Sequence, residues 1–411
     1  MPWTRSPEVP LDAPTVLRPL GAQERMYHRW SNAHPMHHCL VVQLASAVTP
    51  EAVAEAVRAL LPRHRLLNAR VAETRQDGPA FVTSDVEPHL EVGDDRPWTE
   101  IVAQELAHPL PNGALFRIVL VPPSDTMVLT FAHEAFDGLT AVAVADDLAA
   151  ALAGSPRPAR PTPPEREVLL RADPDRRAII DAGPPGPPPL DPRLKVPATI
   201  RPFDGRPPAV SALALDPALT EAVRSRSRAE QTTVHAAVVT AVGQVIAHAR
   251  QLPTVRVMSP INIRPLFAAF GSDDPQGLYI HVTRSLVQPG TFWDTARSQA
   301  AQIAPARTGT AVSRAAAAII AASGPAFTSM EAERFMTRGA LGLDALVTNL
   351  GLLDVHPSIT GIWGPLVLDQ VLGEQVIGVA TVNGRTHLTS ASYDPVPGLL
   401  QEVEVILRQA L

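Results

Sequence analysis

From residue 154 to residue 197 the chain is studded with proline, most densely in the run Pro184-Pro-Gly-Pro-Pro-Pro. Proline lacks the backbone donor and has a fixed φ, so such a stretch cannot form a long helix or a central strand. It reads as a linker or crossover, with at most a short helix over 165–171. It divides the 411 residues into an N-terminal part, 15–155, and a C-terminal part, 198–411, with 156–197 between them. With 45% hydrophobic residues, each part has enough apolar side chains for its own core. The net charge of −6 argues against a nucleic-acid partner. Cys39 stands alone, so no intrachain disulfide forms and the chain suits a reducing compartment. Its start lacks an apolar signal core, and no uninterrupted apolar run is long enough for a bilayer. The expectation is a soluble cytoplasmic protein without a membrane span; residues 1–14, punctuated by proline, should be irregular.

Along the first part, a short helix carries Met26, Tyr27 and Trp30, and a strand follows at 38–44. Thr49-Pro50 caps and opens a helix with apolar residues at 53, 56, 57, 60 and 61. A helix over 98–107 precedes two apolar runs, 115–121 and 127–132, placed to pair as a hairpin. In the second part a strand near 210–215 leads into a helix opened by Asp216-Pro217. The segment 232–249 is apolar nearly all round and reads as a buried helix, with His235 flanking the core. A strand from Val255, a strand end at Thr348-Asn349, and a closing amphipathic helix with Leu399, Leu400, Val403 and Leu407 complete the reading.

One stretch carries chemistry. The apolar run 127–132 breaks at His133, and Asp137-Gly138 opens an Ala/Val/Leu-rich helix over 139–152. His133 and Asp137 therefore sit on a strand-to-helix turn, where a rigid scaffold can present a side chain. On these residues alone, a satisfied strand-end histidine beside a helix-capping aspartate explains the pattern as well as an active site does. A zinc-protease helix is excluded, because the position after His133-Glu134-x-x is Asp137 and the preceding run is strand-like. His34, His37, His38 and Cys39 have poor metal-site geometry around Pro35 and read as turn and strand-edge residues, some lining a cleft. No metal is expected.

The pattern His133-x-x-x-Asp137-Gly138 resembles the active-site motif of the condensation-domain, chloramphenicol-acetyltransferase-like superfamily. Other phrases resemble that superfamily in the expected order: Arg63-His64 after the first long helix, Pro260-x-Asn262-x-Arg264, and Thr348-Asn349-x-Gly351. The chain is most similar to the stand-alone polyketide-associated acyltransferases. It departs from many members in carrying Ala132 where they have a second histidine, and Gly361-Ile-Trp-Gly only distantly echoes the plant enzymes' phrase.

The resemblance implies an α/β fold of two lobes, each a mixed sheet with flanking helices, and an active-site tunnel between them. It implies acyl transfer from a thioester, bound to CoA or to a carrier protein, onto a hydroxyl or amine of a small-molecule acceptor in bacterial secondary metabolism. An acyl carrier protein or polyketide synthase is the implied macromolecular partner, and no cofactor is needed beyond the thioester donor. His133 is then the general base, Asp137 and Arg264 an ion pair tying the lobes, Gly138 a residue for close packing or an unusual backbone angle, and Thr348 and Asn349 donors to substrate or oxyanion. No Gly-x-Ser-x-Gly elbow is present, so transfer would be direct. Intramolecular cyclisation on the same fold, and a non-catalytic recruitment module, stay open; loss of the motif histidine or glycine would favour the latter, and both are present.

Overall fold

A computed structural model describes residues 14–74, 78–184, 186, 191–267, 276–324 and 326–411. The first 13 residues and most of the 184–189 proline run, both expected to be irregular, lie outside the described residues. The first part runs β1 (Val16–Pro19), α1 (Ala22–Ser31), β2 (His37–Leu44), α2 (Pro50–Leu60), β3 (Ala69–Thr74), β4 (Gly78–Thr83), β5 (His89–Val92), α3 (Trp98–Ala107), β6 (Phe116–Val121), β7 (Thr126–Ala132) and α4 (Gly138–Leu152). The crossover holds α5 (Arg166–Arg171) and α6 (Pro174–Asp181). The second part runs β8 (Ala209–Ala214), α7 (Pro217–Ala229), α8 (Val234–Arg250), β9 (Val255–Asn262), β10 (Ile280–Val287), α9 (Phe292–Ile303), α10 (Gly309–Ala322), α11 (Ser329–Phe335), β11 (Ala345–Leu352), β12 (Ile359–Val367), β13 (Gln375–Val382), β14 (Arg385–Ser392) and α12 (Leu399–Gln409).

Local chemistry explains the helix starts. Thr49, Asp137, Asp216 and Thr233 each accept a backbone N–H of the first turn through the side chain, satisfying donors that have no partner within the helix. α6 was not anticipated, although Asp173-Pro174 carries the same signature: the Asp173 carboxylate accepts the Arg176 N–H at 3.0 Å. A proline-rich setting masked a proline that opens a helix rather than blocking one.

Two mixed sheets dominate, with strand orders β12-β2-β7-β6-β5 and β10-β9-β11-β13-β14-β8; β1, β4 and β3 form a small third sheet. The hairpin of β6 and β7 forms as expected, with Phe116 opposite Phe131. Helices α2 and α4 share an apolar core with the first sheet, and α7, α8 and α12 share one with the second. A third apolar cluster joins the two halves, bringing Met26, Tyr27, Met36 and Val128 together with Met258, Leu346, Leu366 and Val376. The architecture is thus the two-lobed α/β arrangement.

The lobes do not follow chain order throughout. β12 belongs to the 198–411 segment, yet it pairs antiparallel with β2 in the first lobe's sheet, Val367 opposite His38 and Ile362 opposite Val42. The division at residue 198 is corrected to that extent. The reason lies in β2, which is buried at seven of its eight positions; a strand covered on both faces needs partners on both edges, and β7 supplies only one. Two glycines and a proline in β12 weaken its signal as a strand.

Candidate active site

His133 directly follows β7. Its N–H donates to the Met36 carbonyl at 3.1 Å, extending the β2–β7 ladder by one bond. The ring is pinned by a 3.1 Å hydrogen bond between Nδ1 and the Phe136 carbonyl. A carbonyl only accepts, so Nδ1 carries the proton and Nε2 keeps its lone pair. Tyr27 and His38 meet the ring edge-on, with centroids 5.1 and 5.0 Å away. Burial pushes the His133 pKa down, outweighing the Phe136 carbonyl and the Asp137 carboxylate, which raise it. The imidazole is neutral at pH 7 and able to accept a proton.

Asp137 turns away from that ring. As the N-cap of α4 it accepts the Thr140 N–H at 2.8 Å. Its two oxygens also accept from Arg264, at 2.9 and 3.0 Å, in a fork-on-fork pair, and Oδ2 takes the Tyr279 N–H at 2.8 Å. Both residues are buried, Asp137 to 1% and Arg264 to 5% exposure. The Thr140 hydroxyl donates to the Gly277 carbonyl and accepts from Arg264, each at 2.8 Å. The Arg264 guanidinium lies over the Tyr279 ring, 5.1 Å from its centroid. The motif aspartate is therefore a fastener between the two halves of the chain, and its attachment to the turn at Phe136 keeps the carbonyl that sets the His133 tautomer in place.

Gly138 needs its missing side chain. A Cβ there would lie 2.9 Å from Leu350 Cδ2 and 3.0 Å from Pro365 Cγ, so any other residue at the start of α4 would push on β11 and β12. Close packing, rather than an unusual backbone angle, is the reason for the glycine.

Between the halves lies a cavity of about 870 Å³, within the range of small-molecule sites. Its lining brings together His133, Asp137, Gly138, Arg264, Thr348 and Asn349. Asn349 Oδ1 is taken by the Gly351 N–H at 2.8 Å, which orients the amide with its NH2 as the remaining donor. Sequence reasoning gave no site role to Tyr27 or Asp369, which line the same cavity, as does His38. Of the residues read as turn and strand-edge positions, some lining a cleft, His38 is one that does; it stands beside His133 on the neighbouring strand, close to where the Ala132 position lacks a second histidine. Burial pushes its pKa well down, and neither ring nitrogen has a hydrogen-bond partner among the described residues. His37 points elsewhere, with Nε2 on the Glu105 carbonyl at 2.8 Å. His235 is not among the lining residues; its Nε2 meets the Ser259 hydroxyl at 2.8 Å, a core-flanking role.

No sequence-family model and no curated protein sequence matches the chain. Solved structures do. Polyketide synthase associated protein 5 from Mycobacterium tuberculosis superposes with a TM-score of 0.62 at 15% identity, over 96% of this chain and 98% of that one. The first condensation domain of the calcium-dependent antibiotic synthetase, in complex with a substrate analogue, gives 0.63 at 15%, over 96% of each. The epimerization domain from the third module of tyrocidine synthetase B gives 0.58 at 11%, over 96% and 97%. At these identities the likeness is one of fold, and it spans nearly the whole of each chain. In fold, then, this chain is similar to condensation domains and to a polyketide synthase associated protein.

Proposed function

We propose that the protein is an acyltransferase of secondary metabolism, moving an acyl group from a CoA- or carrier-protein-bound thioester to a hydroxyl or amine acceptor. The observation that carries this reading is the state of His133: neutral, fixed in one tautomer by the Phe136 carbonyl, and lining a cavity between two lobes. Nε2 takes the proton from the acceptor as its oxygen or nitrogen attacks the thioester carbonyl. The tetrahedral oxyanion that forms calls for nearby donors, and the Thr348 hydroxyl and Asn349 amide are the candidates in the lining. Collapse breaks the carbon–sulfur bond, and the imidazolium returns its proton to the leaving thiolate. The apolar surroundings keep water from competing. A synthase or carrier protein as partner is supported by the likeness to a polyketide synthase associated protein. No helix among the described residues is by itself long and apolar enough to cross a membrane.

The likeness to an epimerization domain favours a second reading, a proton transfer or cyclisation templated by the same cavity without acyl transfer. Intact-mass analysis after incubation with octanoyl-CoA and a panel of alcohols and amines separates the two. An octanoyl ester or amide that is lost with His133→Ala supports the first. Octanoate alone, or a product that His133→Ala still makes, would remove it.

A further inference from the structure

Two acidic side chains line the cavity, Asp137 and Asp369. Asp137 is paired with Arg264. Asp369 is only 5% exposed, yet among the described residues no donor or cation meets its carboxylate. Its own N–H donates at 3.2 Å to Glu374, a second buried acid that also takes the Val371 N–H at 3.2 Å. Burial pushes both acids up, Asp369 to about 7; the Asp369 carboxylate raises Glu374 further, and backbone N–H groups offset part of that rise at Glu374. Four arginines also line the cavity: Arg264 is paired with Asp137, Arg166 with Glu167 at 3.1 Å, Arg284 donates to the Leu194 carbonyl at 2.9 Å, and Arg314 is exposed.

Strand register places Asp369 relative to His133. β12 sets Val367 opposite His38, and β2 sets His37 opposite Ala132. Continued past the strand ends, these registers put His133, Met36 and Asp369 in one row across β7, β2 and β12. The lining agrees: the alternate residues Pro365, Val367 and Asp369, and likewise Met36 and His38, all reach the cavity, as the period of two requires. Two strand spacings set the backbones of His133 and Asp369 roughly 10 Å apart on the same face. Met26, Met36, Leu346, Val367 and Phe335 line the same cavity, so a carboxylate there is poorly solvated until a ligand supplies its partner.

We propose that Asp369 is a substrate-recognition residue and that the ligand of this cavity carries a cationic amine, which Asp369 binds while the ligand's reacting group lies at His133. Naming that ligand the acyl acceptor rests on the acyl-transfer reading; the cation site does not. A neutral ligand leaves the carboxylate unpaired, and a site built around a buried polar group rejects a ligand that cannot satisfy it.

Calorimetric titration at about pH 8, where hexylamine is cationic and Asp369 ionised, tests this with hexylamine and 1-hexanol as probes. The wild-type protein should bind hexylamine at least ~10-fold more tightly than hexanol. Asp369→Asn should abolish that preference, by weakening hexylamine binding and relieving the penalty on hexanol. Equal affinities in the wild type overturn the proposal without recourse to any variant, as does a preference retained in folded Asp369→Asn. Acyl transfer is assayed separately. An amine preference that depends on Asp369, in a protein that transfers no acyl group, upholds the cation site and rejects the acyl-transfer reading. Acyl transfer without the preference does the reverse.

Discussion

Helix α4 carries two buried carboxylates, Asp137 at its N-cap and Asp147 ten residues on, and they do different things. Asp147 is held from within the first part of the chain and its junction with the crossover: Arg63 Nε at 2.7 Å, His64 Nε2 at 2.6 Å and Arg157 Nη1 at 2.6 Å. Asp137 is held from the second part, by Arg264 and the Tyr279 N–H. One ion cluster closes a lobe; the other closes the space between lobes. Because the cavity lies in that space, only the second can couple stability to chemistry. A buried charge cluster is thus not a mark of an active site; what its partners belong to decides what it does.

The largest expected effect lies beside Asp137 rather than in either cluster. His133→Ala should lower turnover by ~10²–10⁴, with the melting temperature nearly unchanged, in parallel activity and thermal-melt measurements. A stable variant with near-normal turnover would end the base role. In the wild type the rate should rise with pH and level off, since only the neutral imidazole accepts a proton. Its midpoint should fall below the ordinary histidine value of about 6.5, because burial lowers the pKa.

Asp137→Ala breaks the interlobe pair and leaves the Arg264 charge without its carboxylate, at a cost of ~3–5 kcal/mol by urea unfolding. Turnover should fall with it. Arg264→Ala should behave alike, and the double variant should cost much less than the sum of the two single changes. Simple additivity would show that the pair is not the unit of interaction.

Asp147→Asn sharpens the contrast: ~1–3 kcal/mol of stability lost, with turnover of the folded fraction retained. Burial pushes the Asp147 carboxyl up, but hydrogen bonds from His64 and Arg63 outweigh it and bring it down to about 2. A carboxyl lowered on folding stabilises above its unfolded value of about 4 and loses that contribution as pH falls towards about 2. Wild type and Asp147→Asn should therefore converge in stability across that acid window, and a constant difference would reject the assignment. The smallest effect belongs to Arg157→Ala, within ~1 kcal/mol, because the guanidinium is 41% exposed and water screens the pair.

The positions that sequence reasoning placed well share a property: the information was local. Thr49-Pro50, Asp216-Pro217 and the break at His133 are decided by capping, by proline's fixed φ and by a change of hydrophobic period, all within a few residues. The Asp137–Arg264 contact entered through a resemblance between motifs, not through spacing, since 127 residues separate the two. Part of what was missed was non-local. β12 reads as punctuated by glycine and proline, and only the open edge of β2 reveals its place. Residues 280–335 carry β10 and the helices α9, α10 and α11, which the sequence reading did not place, although Thr308 caps α10 and Thr328 with Glu331 forms a capping box at the start of α11.

The sequence by itself determined the strand, turn and helix around His133, the helix caps, and the proline-rich crossover, because each depends on backbone sterics and hydrogen bonds between near neighbours. Tertiary structure alone decided that β12 returns to the first sheet, that His38 and Tyr27 flank His133, and that the Asp369 carboxylate lines the cavity without a partner among the described residues. Those outcomes depend on which strand edges are left unpaired and which faces are left uncovered once the local elements exist, and a linear chain does not record its own packing partners.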